Sequence, residues 1–372
     1  MKYWIPAALL ATACAPCLIA QLMATAVGRI PPESVGLPPQ PPFITLLGIA
    51  NPGRMATDPS IPPKGPIAEV IYEELRPLTT PAGRAGEVEA SVRTKYDEKG
   101  NITAQIENRF GSTTDSVYLY QDDRLVGIES TFPDARRPQL TAFNYWTYDS
   151  NGKLTEYRRG RGAEIQNHEI NFRYDSQGRL LAFDYRQGKD DKLFSHTDIG
   201  YSSDDRTVVV TRTFPGNKIA SRSTRVLDGK GRVVRVSLTG EGRPAENLAS
   251  VILFVYDEQG RLLGQTTNAT KLSKSGVEND LPPGTISITY DDNSHTRTTK
   301  YTVPGPGDLE ATVQQDAAGA TVAFRLKAEA ATITSKLECE QDRQGNWTLC
   351  RQISIAEGQT VTKTFRRTIT YR

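Results

Sequence analysis

The sequence predicts an all-β protein, in which tandem β-hairpins form an extended, curled antiparallel sheet. Three observations predict it. A signature of the form Tyr-Asp-x-x-Gly returns along the chain, and the residues before each copy alternate in polarity with a period of two. No segment longer than about ten residues shows helical periodicity with caps. The fullest copies are Tyr96-Asp-Glu-Lys-Gly-Asn101, Tyr148-Asp-Ser-Asn-Gly-Lys-Leu154, Tyr174-Asp-Ser-Gln-Gly-Arg-Leu180 and Tyr256-Asp-Glu-Gln-Gly-Arg-Leu262. Weaker copies start at Tyr120, Tyr201, Leu227, Tyr290, Gln315 and Gln341, so the ten anchors are spaced by 24 to 34 residues. Units of that length are too small to bury a face alone and must stack on their neighbours.

The elements follow in chain order. Residues 1–26 read as an export signal: Lys2, then an uncharged apolar stretch with small-residue cleavage points at Ala24-Thr-Ala26 or Ala20. A membrane anchor is the alternative, although Pro6 and Pro16 interrupt its helix. Cys14 after Leu10-Ala-Thr-Ala13 loosely matches a lipoprotein box, which makes lipid anchoring a further alternative to simple cleavage. Residues 27–66 form an extended tether, because eleven prolines between Ile30 and Pro66 exclude helix and central strand. The apolar patch Phe43–Ile49 inside it could add a strand to the body.

The repeat domain spans residues 67–372. Ile170, Phe172 and Tyr174 share one strand face, as do Ile252, Phe254 and Tyr256, or Ile286, Ile288 and Tyr290. The Asp-x-x-Gly that follows has turn chemistry: Asp bonds its own backbone and Gly supplies a positive φ. Each repeat is then a hairpin with its Asp-x-x-Gly tip on one common edge, and ten hairpins give about twenty strands. A sheet that large should curl, split or close. Asn268 to Gly284, in the longest unit, is expected to protrude as a loop.

Cys339 and Cys350 flank Asp342-Arg-Gln-Gly345, one on each arm of the last repeat hairpin. In an exported chain that placement predicts a cross-strand disulfide; a metal site is the rival, but the three histidines are distant in sequence.

The net charge is +2, and +1 without Lys2, so there is no general attraction to nucleic acid or anionic lipid. No nucleophile elbow, P-loop, H-E-x-x-H or Cys-x-x-Cys is present, and no cofactor or metal is expected. Gly160-Arg-Gly162 reads as a basic hairpin tip, and the acidic doublets such as Asp122-Asp123 and Asp204-Asp205 as turn carboxylates lacking calcium-loop spacing. The anchor tyrosines are read as a packed ladder. Trp146 and Tyr145 are the candidates for stacking on a ligand.

The recurring Tyr-Asp-x-x-Gly-Arg-Leu, from Tyr96 to Gln341, resembles the YD repeats of the RHS family of bacterial surface proteins, toxins and teneurins. That resemblance implies a sheet spiralling into a hollow shell and a carbohydrate-binding role. It does not extend to the family's self-cleaving core, since the one Asp-Pro, Asp58-Pro59, lies in the tether. The resulting expectation is an exported, non-catalytic binding or scaffold protein of the envelope, with a glycan or an envelope protein as partner. A glycan hydrolase built from scattered carboxylates is the alternative. An outer-membrane barrel is disfavoured, because Lys218–Leu227 and Arg232–Leu238 place charges where lipid would lie and the chain ends in Arg372.

Overall fold

The computed structural model describes residues 63–76, 86–109, 111–134, 137–216, 218–240, 248–272, 278–303, 307–315, 321–327, 332–356 and 358–372. The export signal, Cys14, the patch Phe43–Ile49 and the tether up to residue 62 lie outside the described residues.

Among the described residues every regular element is a strand. The first six are β1 (Ile67–Leu75), β2 (Val88–Tyr96), β3 (Ile102–Arg109), β4 (Ser112–Gln121), β5 (Arg124–Asp134) and β6 (Arg137–Tyr148). Next come β7 (Leu154–Arg161), β8 (Glu164–Tyr174), β9 (Leu180–Gln187), β10 (Lys192–Tyr201), β11 (Thr207–Phe214) and β12 (Lys218–Leu227). Then follow β13 (Val233–Gly240), β14 (Leu248–Tyr256), β15 (Leu262–Leu272), β16 (Glu278–Asp291) and β17 (Thr296–Val303). The last are β18 (Gly307–Gln315), β19 (Thr321–Lys327), β20 (Thr332–Gln341), β21 (Trp347–Ala356) and β22 (Gln359–Tyr371). Each strand pairs antiparallel with the next, an up-and-down meander.

The tips show why the signature folds as it does. At Asp97, Asp149, Asp175, Asp228, Asp257 and Asp342, the Asp amide bonds the carbonyl four residues on at 2.8–3.0 Å. The Asp175 Oδ1 accepts the amides of Gln177 and Arg179 at 2.9 and 2.8 Å, and Asp228 does the same for Lys230 and Arg232. The closing glycine then needs the left-handed region, as at Gly178 (φ 83°) and Gly260 (φ 89°). The strand register slips by one beside each such anchor, for instance between Val255 and Tyr256.

The anchors tie consecutive hairpins together. The hydroxyls of Tyr174, Tyr201, Tyr256 and Tyr290 donate to the carbonyls of Leu154, Leu180, Val233 and Leu262, at 2.8, 3.1, 2.9 and 3.1 Å. The Arg of one turn covers the Tyr of the next: Arg179 over Tyr201 at 4.4 Å, Arg232 over Tyr256 at 4.8 Å, Arg261 over Tyr290 at 4.4 Å. Those arginines also bond their own turn Asp, at 2.6 to 2.7 Å, and Arg179 and Arg261 reach on to Asp205 and Asp292. The rim is therefore built from repeated Tyr–Arg–Asp units, interrupted at Leu227, and the hydroxyls of these tyrosines are engaged within the fold.

The sheet closes. β1 pairs with β22 in antiparallel register (Val70↔Ile369, Tyr72↔Arg367), making a ring of 22 strands. Lys363–Glu74 (2.7 Å) and Arg366–Glu73 (2.5 Å) bridge the seam, and Asn346 holds both Lys64 and the Tyr371 hydroxyl. This corrects the expected open, extended sheet, and with it the spiralling shell implied by the YD-repeat resemblance. A twisted meander of this length has two edges full of unpaired backbone groups, and joining them satisfies both. The expected loop from Asn268 to Gly284 is also corrected: β15 and β16 continue into it as paired strands, with Thr270 opposite Asp280.

Closure turns one face of every strand inward. Inner side chains converge and outer ones splay, so the buried face is the inner one. It carries Val92, Phe183, Ile199, Val208, Val236, Ile252, Phe254, Ile288, Val313 and Phe365, all under 9 % exposed. The outer face carries exposed charges on strand after strand: Arg93, Lys95, Asp198, Arg222, Arg235, Lys300, Arg325, Lys336, Arg351 and Arg366. The two core clusters are each drawn from adjacent strands, β9–β14 and the seam strands around Tyr72, Trp347 and Phe365. A ring this wide exceeds the roughly eight-stranded size at which side chains fill the axis, so the core lines the wall. Burial also fades away from the Asp-x-x-Gly rim: on β22's inner face Phe365 is 6 % exposed and Val361 45 %.

Candidate functional site

The sequence-level candidates separate in space. Adjacent residues of a strand point to opposite faces. Tyr145 lies on the outer face opposite Gly127 and Arg158, stacked on Phe143 (5.0 Å) with its hydroxyl bonded to Glu129 at 2.5 Å. Trp146 lies on the inner face against Tyr157 (5.6 Å). The two cannot stack on one ligand together. Cys339 and Cys350 are directly opposite across β20 and β21 and form a disulfide, with Cα atoms 4.1 Å apart.

Trp146 begins an inner belt that the sequence reading did not assemble. Register places Tyr157 opposite Glu169, Glu169 opposite Tyr185, and Tyr185 opposite Ser195, across β7 to β10. The Tyr157 and Tyr185 hydroxyls donate to Asn144 and Asn167, at 2.9 and 2.7 Å, which fixes both rings. On β11, Arg212 projects inward and its Nε donates to the Ser195 hydroxyl at 2.8 Å. Its guanidinium lies over Tyr185 (5.6 Å) and Phe194 (5.5 Å). Phe194 meets Tyr185 and Phe214 edge-on, at 5.6 and 5.5 Å, and is itself 39 % exposed.

The electrostatics of this belt are uneven. Burial pushes the Arg212 guanidinium below its ordinary range, partly offset by the fields of Tyr185 and Glu169. Among the described residues no carboxylate forms an ion pair with it. Deeper on the inner face Arg225 is 1 % exposed, its pKa also lowered by burial, with Nε and Nη2 lacking a hydrogen-bond partner. A signal was available for Arg212, which interrupts the inward apolar stripe Val208-Val210-Arg212-Phe214, but not for Arg225, whose inward neighbours on β12 are Ser221 and Ser223.

The outer face holds a different cluster. His168 bonds Glu156 (2.8 Å) and Asp191 (2.9 Å), and His196 bonds Asp184 (2.6 Å) and lies 3.2 Å from Asp198. Burial alone would lower the His196 pKa, but the bonds to Asp184 and Asp198 outweigh it and raise it. These are bridged imidazoles suited to holding strands together. Among the described residues no group of three or more His, Cys, Asp or Glu is placed to hold a metal ion.

No family model matches the chain, and no curated protein does. Solved structures overlap it weakly. A porin-like protein from Bacteroides uniformis is 14% identical, covering 83% of this chain and 99% of that chain, with a TM-score of 0.29. A porin-like protein from Bacteroides vulgatus is 12% identical over 83% of this chain and 99% of that chain, with a TM-score of 0.23. The Photorhabdus luminescens Tc holotoxin pore is 11% identical over 76% of this chain and 20% of that chain, with a TM-score of 0.28. Overlaps this loose carry no argument about ancestry or activity.

Proposed function

We propose that this protein is a non-catalytic binding module of the cell envelope, a β-barrel that works in water and holds its ligand on its inner wall. One observation carries the reading: exposed charges such as Arg93, Asp198, Arg222, Arg235, Lys300 and Arg351 recur on the outer face and interrupt its exposed apolar residues, Val117, Leu119, Leu253 and Val255, while the buried apolar residues lie on the inner face. A lipid-facing barrel needs the reverse on its outside, an apolar band about 25 Å tall. Export is supported by the N-terminal signal-like stretch and by the Cys339–Cys350 bond, which suits an oxidising compartment.

A membrane channel is the second reading, favoured by closure itself, since a spanning sheet must have no free edge. The test is extraction of the full chain, expressed with its leader and with Cys14→Ser to remove the lipid acceptor. A binding module is released into buffer as a monodisperse, folded protein without detergent and gives no conductance in planar bilayers. A chain that requires detergent and conducts ions is a channel instead.

A further inference from the structure

We infer that the inner belt around Arg212 is a binding site for an amphiphilic monoanion, a carboxylate carried on an apolar body. The inference rests on the reading of the barrel as a water-exposed binding module and names its ligand class.

Four features combine. First, Arg212 is framed by Tyr185 and Phe194, and its Nε is already engaged by Ser195, which locks the plane of the guanidinium. Its two terminal nitrogens form the fork that takes a carboxylate or phosphate end-on. Second, it has no ion-paired carboxylate among the described residues, unlike the rim arginines Arg179, Arg232 and Arg261, each held by its turn Asp. An inward guanidinium desolvated by rings, with no carboxylate in direct contact, binds an anion more strongly than one in water.

Third, Phe194 is 39 % exposed beside the guanidinium and in contact with Phe214, so an apolar surface adjoins the charge and is open to a ligand. The buried wall continues below it in Phe183, Ile199 and Val208. A small inorganic anion would leave that surface unused. Fourth, Glu169 lies on the same inner belt, close enough to act on Arg212 through space. A second negative charge on the ligand would be repelled by it, so a monoanion is preferred to a phosphomonoester dianion.

The experiment is isothermal titration of the full chain with dodecanoate, dodecyl phosphate, dodecanol and inorganic phosphate at pH 7.5, below micellar concentrations. Dodecanoate is expected to bind one to one, at least tenfold tighter than dodecanol or dodecyl phosphate, with inorganic phosphate silent. Arg212→Gln should weaken dodecanoate at least tenfold and leave dodecanol unchanged. Phe194→Ser, checked by circular dichroism to be folded like the parent, should weaken both ligands by a similar factor. Arg235→Gln, an outer-face arginine, should change neither. Equal affinity for dodecanoate and dodecanol, a preference for the phosphate, or full affinity in the Phe194→Ser protein overturns the inference. A chain that is folded without detergent yet ignores dodecanoate defeats only this inference. One that needs detergent defeats the reading beneath it.

Discussion

Replacing Tyr256 by Phe deletes one atom from the rim ladder and isolates its contribution. The hydroxyl donates to the Val233 carbonyl at 2.9 Å, and Val233 is 2 % exposed, so water cannot readily replace the lost donor. The ring stays packed against the core and beneath Arg232. The net loss is therefore one neutral hydrogen bond, about 1 kcal/mol. The same bond recurs at Tyr174, Tyr201 and Tyr290. Successive anchors stand two strands apart, about 10 Å, far enough for their effects to add. The fourfold Tyr→Phe protein should lose about 4 kcal/mol, whereas Tyr256→Ala alone, which also removes the ring, should cost about 3 kcal/mol. Equilibrium denaturation in urea, followed by tyrosine and tryptophan fluorescence, reads both. A fourfold variant within about 1 kcal/mol of the parent would show that the hydroxyls do not join the hairpins and refute the ladder.

Acid should loosen the same rim. The Arg232 backbone amide and guanidinium hold the Asp228 carboxyl down at about 2. A depressed carboxyl contributes stability that is complete above its unfolded value near 4 and is lost as pH falls toward 2. Denaturation midpoints measured from pH 5 to pH 2 should fall in that window, and fall less steeply in Asp228→Asn; parallel curves would count against the ion pair. Removing the disulfide with Cys339→Ala and Cys350→Ala together should cost about 3 kcal/mol for a sequence separation of 11. Reductant should destabilise the parent and leave that double variant unmoved; sensitivity in both would place the effect elsewhere.

Local chemistry made much of this molecule legible from its residues. The Asp-x-x-Gly tips are written within five residues, because an Asp side chain and a glycine suffice to close the turn and slip the register. The disulfide was legible for the same reason, since Cys339 and Cys350 sit symmetrically about such a tip. The opposite facing of Tyr145 and Trp146 was also there to be read, from strand alternation alone.

Closure was decided only in three dimensions. β1 and β22 carry no copy of the anchor signature and lie some 290 residues apart, as in the Glu73–Arg366 contact. Whether two distant edges meet depends on the twist and curvature accumulated over twenty intervening strands, which no local spacing encodes. The inner belt has the same origin. Trp146, Glu169, Tyr185, Phe194 and Arg212 come from separate strands with no shared motif, and register across five pairings brings them onto one wall. The residues determined which face of each strand would be apolar. The ring determined that this face would look inward, because a closed sheet has only one concave side on which those side chains can converge.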